Sequence, residues 1–297
     1  MEIDLPQGHD ISGPYVAKVI TNPDVGEAAT RAYAQVRAQT GTPHLAGVLE
    51  VTSIWQPNEI TALLKWIQGD PLSEWTGALP LYFDELAQGT RDEMALRWLR
   101  DLCEGLLQLH QVGLVHGDVS PRNIIVNGGS VTLTDFDLAT TADNKPLGGT
   151  PLYCSLEVDA RISITLSDDI FALAASMFHV LFDRSPFEYP SGLDKKRGLN
   201  WSGIDRSEWP RVTQFLDAAT VPDKSQRFRS AKEAIASLDA ALTGRRERGD
   251  DSDTGSAWTN NEVPWLTHLL QSYPGSLKGN AETRGLDSLF AKQTYVT

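Results

Sequence analysis

Residues 116–138 read HGDVSPRNIIVNGGSVTLTDFDL, with Asp118 and Asn123 ahead of one short apolar run and Asp135 and Asp137 at the end of a second. Phosphoryl transfer asks for such side chains. It needs a carboxylate beside the attacking hydroxyl and oxygen ligands that hold magnesium against the phosphates, because positioning and charge neutralisation supply most of the catalysis. These groups act together only if the chain folds back between them. NIIV and VTLTDF read as strands, and Asn127, Gly128 and Gly129 between them predict a turn. A hairpin here brings both of its flanks to one edge of a cleft.

The elements around this hairpin follow from periodicity. From Asp92, the residues Met94, Trp98, Leu99, Leu102, Leu106 and Leu109 recur three or four apart, which predicts a long helix with one buried face, ending at Gly113. Further helical patterns cover 168–182, 207–219 and 230–242. Up to Ile67, short apolar runs such as YVAKVI and LAGVLEV alternate with turn residues, interrupted by one helical stretch near Ala28 to Ala38. The expectation is an α+β protein with a small β-rich front layer and a larger, mainly helical back. Residues 243–261 have the polar, charged composition of a linker, and EVPWLTHLLQSYPGS beyond them suits a short amphipathic helix.

Composition narrows the function classes. The 297 residues suffice for a large core, and 41% hydrophobic against 22% charged is ordinary for a globular chain. A formal net charge of -13 disfavours a protein that tracks a nucleic-acid backbone. MEIDLPQGHD lacks the pattern of an export signal, and the apolar run from Ile170 to Phe182 is too short to cross a bilayer, so no membrane is expected as a partner. Cys103 and Cys154, without metal-ligand spacing, read as reduced thiols of a cytoplasmic protein. His110, His179, Trp66, Trp98, Trp201 and Trp209 read as packing residues.

HGDVSPRN followed by TDFDL resembles the catalytic loop and metal-binding motif of the eukaryotic-type protein kinases. Three later segments are similar to that family in the right order: GGTPLYCSLE resembles the end of an activation segment, SDDIFALAASMF the helix whose aspartate braces the catalytic loop, and PDKSQRFRSAKE the closing motif. In the front layer YVAKVI resembles the third strand, and ALLKWIQGDPL the strand and hinge that bind adenine. The resemblance runs from about Glu2 to Leu242. It implies a bilobal fold, with an N-lobe and hinge over 1–67 and a C-lobe over 68–242. The implied activity is that of a serine/threonine kinase using ATP and Mg2+ on a protein substrate, itself included. By the same resemblance Asp118 is the catalytic base, Asn123 and Asp135 are the metal ligands, and Lys18 grips the α- and β-phosphates. Leu64 is then the gatekeeper, main-chain groups of Lys65 and Ile67 bond adenine, Val16 covers its face, and Thr150 belongs to the substrate-recognition loop. Asp169 braces the catalytic loop, and Arg227 pairs with Glu157; these three are structural.

The match has departures. Only Gly8 and Gly13 precede Lys18, which implies that the first strand and the phosphate-covering glycine loop lie before Met1. Where a glutamate should pair with Lys18, the helix before His44 brings Ala34 and Gln35, and Glu27 falls a turn or more earlier. Gly117 replaces the arginine that reads a phosphorylated activation segment, so a phosphate on Thr140 or Thr141 would lack its usual partner. Asp137 replaces the glycine of DFG, as a further metal ligand or a solvated acid. Ser120 replaces the lysine common in serine/threonine kinases and Arg122 is similar to tyrosine kinases, whereas Thr150 in GTPLY favours serine/threonine specificity. A pseudokinase scaffold is one alternative. Another is a small-molecule phosphotransferase of the aminoglycoside or choline kinase type, which shares HGD but not GTPLY, SLE, Asp169 and Arg227 in this order. The tail over 262–297 resembles the segment after the kinase module of large bacterial multidomain kinases, including those of bacteriophage-exclusion systems, which implies flanking domains.

Overall fold

The computed structural model describes residues 15–20, 23–37, 43–46, 48–52, 60–188, 195–244 and 293–296. YVAKVI forms strand β1 (Tyr15–Ile20). Helix α1 (Pro23–Arg37) follows it and begins earlier than the apolar pattern suggests. Pro23, with its fixed φ, suits the first turn of a helix, and that polar turn carries no periodic signal. Ala29, Ala32, Tyr33 and Val36 are the buried face of α1. Strands β2 (Val48–Thr52) and β3 (Ile60–Lys65) complete the front, with β3 antiparallel to both β1 and β2.

The register of β1 on β3 sets Val16 opposite Leu64 and Lys18 opposite Ala62. Side chains alternate along a strand and directly opposed residues share a face, so Val16, Lys18 and Leu64 lie on one face of the sheet.

The chain then passes through β4 (Asp70–Pro71) into α2 (Leu79–Leu86), which the sequence pattern did not reveal because its run LPLYF is short and opens on a proline. Helix α3 (Arg91–Gln111) starts where Thr90 accepts a hydrogen bond from the Glu93 amide, an N-cap. Its inner residues Met94, Trp98, Leu99, Leu102, Leu106 and Leu109 are fully buried, as their spacing requires. After β5 (Leu114–Val115) come β6 (Ile124–Asn127) and β7 (Ser130–Leu133), paired as the expected hairpin. Two aromatic side chains hold its turn from below: Tyr82 Oη donates to the Gly128 carbonyl at 2.7 Å and Trp98 Nε1 to that of Gly129 at 2.9 Å. Residues 134–138 leave the strand instead of extending it, and β8 (Thr140–Thr141) returns to pair with β5.

Among the described residues, four helices complete the back: α4 (Leu156–Asp159), α5 (Leu166–Phe182), α6 (Pro210–Ala219) and α7 (Ala231–Thr243). Helix α5 is buried nearly all round, opened by a capping box between Thr165 and Asp168. Trp201 and Trp209 pack edge-on against Phe182, as expected of packing residues. Trp66, by contrast, is 39% exposed. Both cysteines are free and buried, and burial pushes the Cys154 thiol up to about 11. No helix among the described residues is long and apolar enough to cross a membrane.

Front and back meet at residues 43–46. The His44 carbonyl accepts the Leu133 amide, Ala46 donates to the Leu133 carbonyl, both at 2.9 Å, and His44 Nδ1 donates to the Val131 carbonyl at 3.1 Å. His44 Nε2 faces Asp101 and Glu104 of α3 at 3.7 and 3.9 Å. Gly105 allows this approach, since a Cβ there would stand 2.5 Å from the His44 oxygen. At the far edge β9 (Gln293–Val296) pairs antiparallel with β1, giving the sheet order β2-β3-β1-β9. Gly8, Gly13, the linker and the amphipathic stretch of the tail lie outside the described residues.

Candidate active site

The loop from His116 to Asn123 is fixed by a buried acid beneath it. Asp169, in the first turn of α5, accepts the His116 amide at 2.8 Å and the Gly117 amide at 3.0 Å, while His110 Nε2 donates to the same carboxylate at 2.9 Å. Both His110 and Asp169 are almost without exposure, and the Asp169 carboxylate is satisfied by the His110 ring and the loop, whereas His110 Nδ1 is buried without a partner among the described residues. The His116 ring is held at both nitrogens: Nε2 donates to the Thr134 carbonyl at 3.0 Å and Nδ1 accepts the Asp118 amide at 3.3 Å. The loop turns upward at Gly117, where φ is +79° and a Cβ would meet the Leu138 carbonyl at 2.7 Å. That crowding explains the glycine where the family has arginine.

Asp118 emerges with both oxygens engaged. Thr150 Oγ1 donates to Oδ1 at 2.7 Å, and Asn123 Nδ2 donates to Oδ2 at 3.2 Å and to the Asp118 main-chain carbonyl at 2.8 Å. This carboxylate therefore already accepts a hydroxyl donor. The Asn123 amide is oriented by those two bonds, which leaves its oxygen as the remaining ligand atom. Asp135 follows the hairpin in a left-handed conformation with φ +67°, an uncommon state for a residue with a Cβ and one that concentrates at functional sites.

Lys18 lies across from these groups, its side chain only 11% exposed. Its Nζ bonds Asp135 Oδ1 at 2.6 Å and Asp137 Oδ2 at 3.0 Å. Burial disfavours the ammonium, but the charges of Asp135 and Asp137 outweigh it and hold the Lys18 pKa above its ordinary value. Asp135 is itself held low: burial opposes ionisation and the Lys18 charge more than offsets it. Asp137 goes the other way, pushed up by burial and then by the Asp135 charge.

Two expectations about this corner change. Asp137 faces neither solvent alone nor an empty quarter of the cleft, but Lys18. From α1, the fully buried residue that reaches this point is Tyr33, whose hydroxyl donates to Asp137 Oδ1 at 2.8 Å and accepts the Phe136 amide at 3.3 Å. The Glu27 side chain lies outside the described residues. The Tyr33 and Phe136 rings meet edge to face at 5.6 Å, and Phe136 meets His116 likewise at 5.7 Å, a continuous stack from α1 to the 116–123 loop. Tyr33 is a residue the sequence did not mark, since a tyrosine on an apolar helix face reads as core.

Of the residues expected to receive adenine, Val16 and Leu64 are brought together at the sheet face that also carries Lys18. Leu64 is buried, Val16 and Ile67 pack partly buried against the same core, and Lys65 is exposed. The expected Arg227–Glu157 pair also forms. Arg227, 1% exposed, donates from Nη1 to Glu157 Oε2 at 3.2 Å, from Nε to the Val221 carbonyl at 2.6 Å and from Nη2 to the Pro222 carbonyl at 2.9 Å, and lies 4.7 Å over the Phe171 ring. An aspartate beside it, Asp168, binds Ser155 Oγ at 2.6 Å and Lys224 at 3.1 Å, joining α4 to α5.

Residues 39–238 match the family model described as protein kinase domain. Among characterised proteins, the chain is 27% identical to the serine/threonine-protein kinase drp72 of Corynebacterium efficiens, over 62% of this chain and 36% of that protein. It is also 27% identical to the serine/threonine-protein kinase PrkC of Bacillus subtilis, over 62% of this chain and 29% of that one. The chain thus spans about a third of the length of these relatives. Among solved structures, the Cydia pomonella granulovirus kinase PK-1 superposes with a TM-score of 0.58 at 15% identity, covering 74% of this chain and 83% of that one. That likeness is one of fold.

Proposed function

Because this chain belongs to the protein kinase domain family, we propose that it transfers the γ-phosphate of ATP to serine or threonine hydroxyls of a protein, with Mg2+ as the metal. The observation that carries the reading is the Asp118 carboxylate, held by Asn123 and already accepting the hydroxyl of Thr150 at 2.7 Å. An acceptor hydroxyl in reach of that carboxylate is oriented by it and gives up its proton to it as the new O–P bond forms and the bond from the γ-phosphorus to the β–γ bridging oxygen breaks, with ADP as the leaving group. Thr150 lines the acceptor's approach. Lys18, buried and charged, positions the phosphates, and Val16 and Leu64 supply the apolar walls for adenine. The Asp135 carboxylate and the Asn123 amide oxygen are hard donors of the kind magnesium takes, with 38% of the Asp135 side chain open to the cleft. Magnesium supplies charge neutralisation at the phosphates when bound.

Radiolabelled ATP added to the purified chain and a protein acceptor tests this. Label in the wild type that is absent in Asp118→Asn supports it. Equal labelling, or none although ATP binds, replaces it with a scaffold role, and label only on a small hydroxyl or amine acceptor makes it a small-molecule phosphotransferase. The wider setting belongs to the same proposal: a cytoplasmic module of a longer bacterial polypeptide with flanking domains, acting in bacteriophage exclusion. The short span relative to the bacterial relatives and the likeness of residues 262–297 to segments after such modules support it.

A further inference from the structure

We infer that Asp137, on the loop after Phe136, is a positioning carboxylate of Lys18, and that the Tyr33 hydroxyl links α1 to it. The two oxygens of Asp137 divide the work: Oδ2 lies 3.0 Å from Lys18 Nζ, and Oδ1 accepts the Tyr33 hydroxyl at 2.8 Å. Tyr33 is completely buried, and burial together with the charges of Asp135 and Asp137 keeps its phenol protonated, so it acts as a donor. Its oxygen also accepts the Phe136 amide at 3.3 Å, so the hydroxyl is bonded to the backbone of the same loop whose acid it steadies. Among the described side chains, the buried hydrophobic face of α1 is otherwise Ala29, Ala32 and Val36.

A second acid is needed for a physical reason. Asp135 is 2.6 Å from Lys18, but it is also the acid with the geometry of a metal ligand, and a carboxylate that neutralises a cation has less charge left for an ammonium. Asp137, its other oxygen occupied by a neutral hydroxyl, stays committed to Lys18. Placing this acid beside the metal loop makes the position of Lys18 depend on that loop directly, and couples it to α1 through the Tyr33 hydrogen bond.

The kinetic half of this inference rests on the phosphotransfer reading; the other half does not. In the intact chain, Asp137→Asn is expected to lower kcat by about tenfold or more, with KM for ATP and the half-saturating magnesium concentration within about twofold of wild type. Asp137→Gly, which installs the residue usual in the family, should lower kcat as well. Tyr33→Phe keeps the ring and removes the donor, and is expected to lower kcat by about two- to fivefold. Kinetics like wild type in Asp137→Asn, or a loss restored by raising magnesium, would overturn the assignment, the latter by making Asp137 a metal ligand. Amide hydrogen exchange over residues 23–37 reads the Tyr33 link without any turnover: faster exchange there in both Asp137→Asn and Tyr33→Phe, with α5 unchanged, supports it, and identical exchange in all three proteins overturns it. If the wild type labels nothing, the proposed function fails while the exchange experiment still decides the link.

Discussion

Asp169 holds His116 by its main chain, accepting the amide at 2.8 Å from within the first turn of α5. The loop that carries Asp118 is therefore anchored to the most buried helix of the protein, and the anchor also takes the Gly117 amide and the His110 ring. Asp169→Ala strands these donors in a dry interior. A loss of about 3 kcal/mol or more in unfolding free energy is expected, measured by denaturant titration, with Asp169→Asn intermediate because it keeps one acceptor.

Gly117 fails any substitution that adds a side chain. With φ at +79° and the Leu138 carbonyl 2.7 Å from a Cβ, Gly117→Ala is expected to cost about 2 kcal/mol and to displace Asp118. Gly117→Arg, which restores the family's usual residue, should lower phosphotransfer rather than raise it. A thermal melt and a labelling assay check both.

Thr150 and Asp118 give a more local test. Thr150→Val keeps the shape of the side chain and removes the donor to Asp118 Oδ1, so a fall in kcat of about tenfold without a change in melting temperature is expected, and Thr150→Ser should restore most of it.

The Glu157–Arg227 pair predicts a pH dependence. Burial raises the Glu157 carboxyl, but its own amide and the Arg227 charge more than offset this and hold it below the ordinary value of 4.5. An acid depressed in the fold stabilises above its unfolded pKa and loses that contribution as pH falls through the lower folded value. Stability should then decline from near pH 4.5 downward, and Glu157→Gln should flatten that part of the curve. Arg227→Ala strips the Val221 and Pro222 carbonyls as well as Glu157, and is expected to cost about 3 to 5 kcal/mol.

What could be seen in the sequence was what is local or periodic. The buried face of α3 follows from spacings of three and four, and the hairpin that sets Asp118 and Asn123 near Asp135 follows from Asn127, Gly128 and Gly129. The shared face of Val16, Lys18 and Leu64 needs only alternation and a register. What escaped depends on contacts between distant segments. Tyr33 and Asp137 are 104 residues apart in the chain, and neither residue's neighbours announce the bond. Lys195 is another case: in the run KKR it reads as a surface charge, yet it is completely buried with Asp159 at 2.8 Å.

The seam at His44, Leu45 and Ala46 decides how the cleft can breathe. Those residues are hydrogen-bonded to β7 and seated against Gly105, so at this end the front layer is in effect part of the back. A front layer fastened there cannot slide; it can only tilt about that fulcrum. A small rotation that leaves His44 in place therefore carries β1, and with it Lys18, toward or away from Asp135.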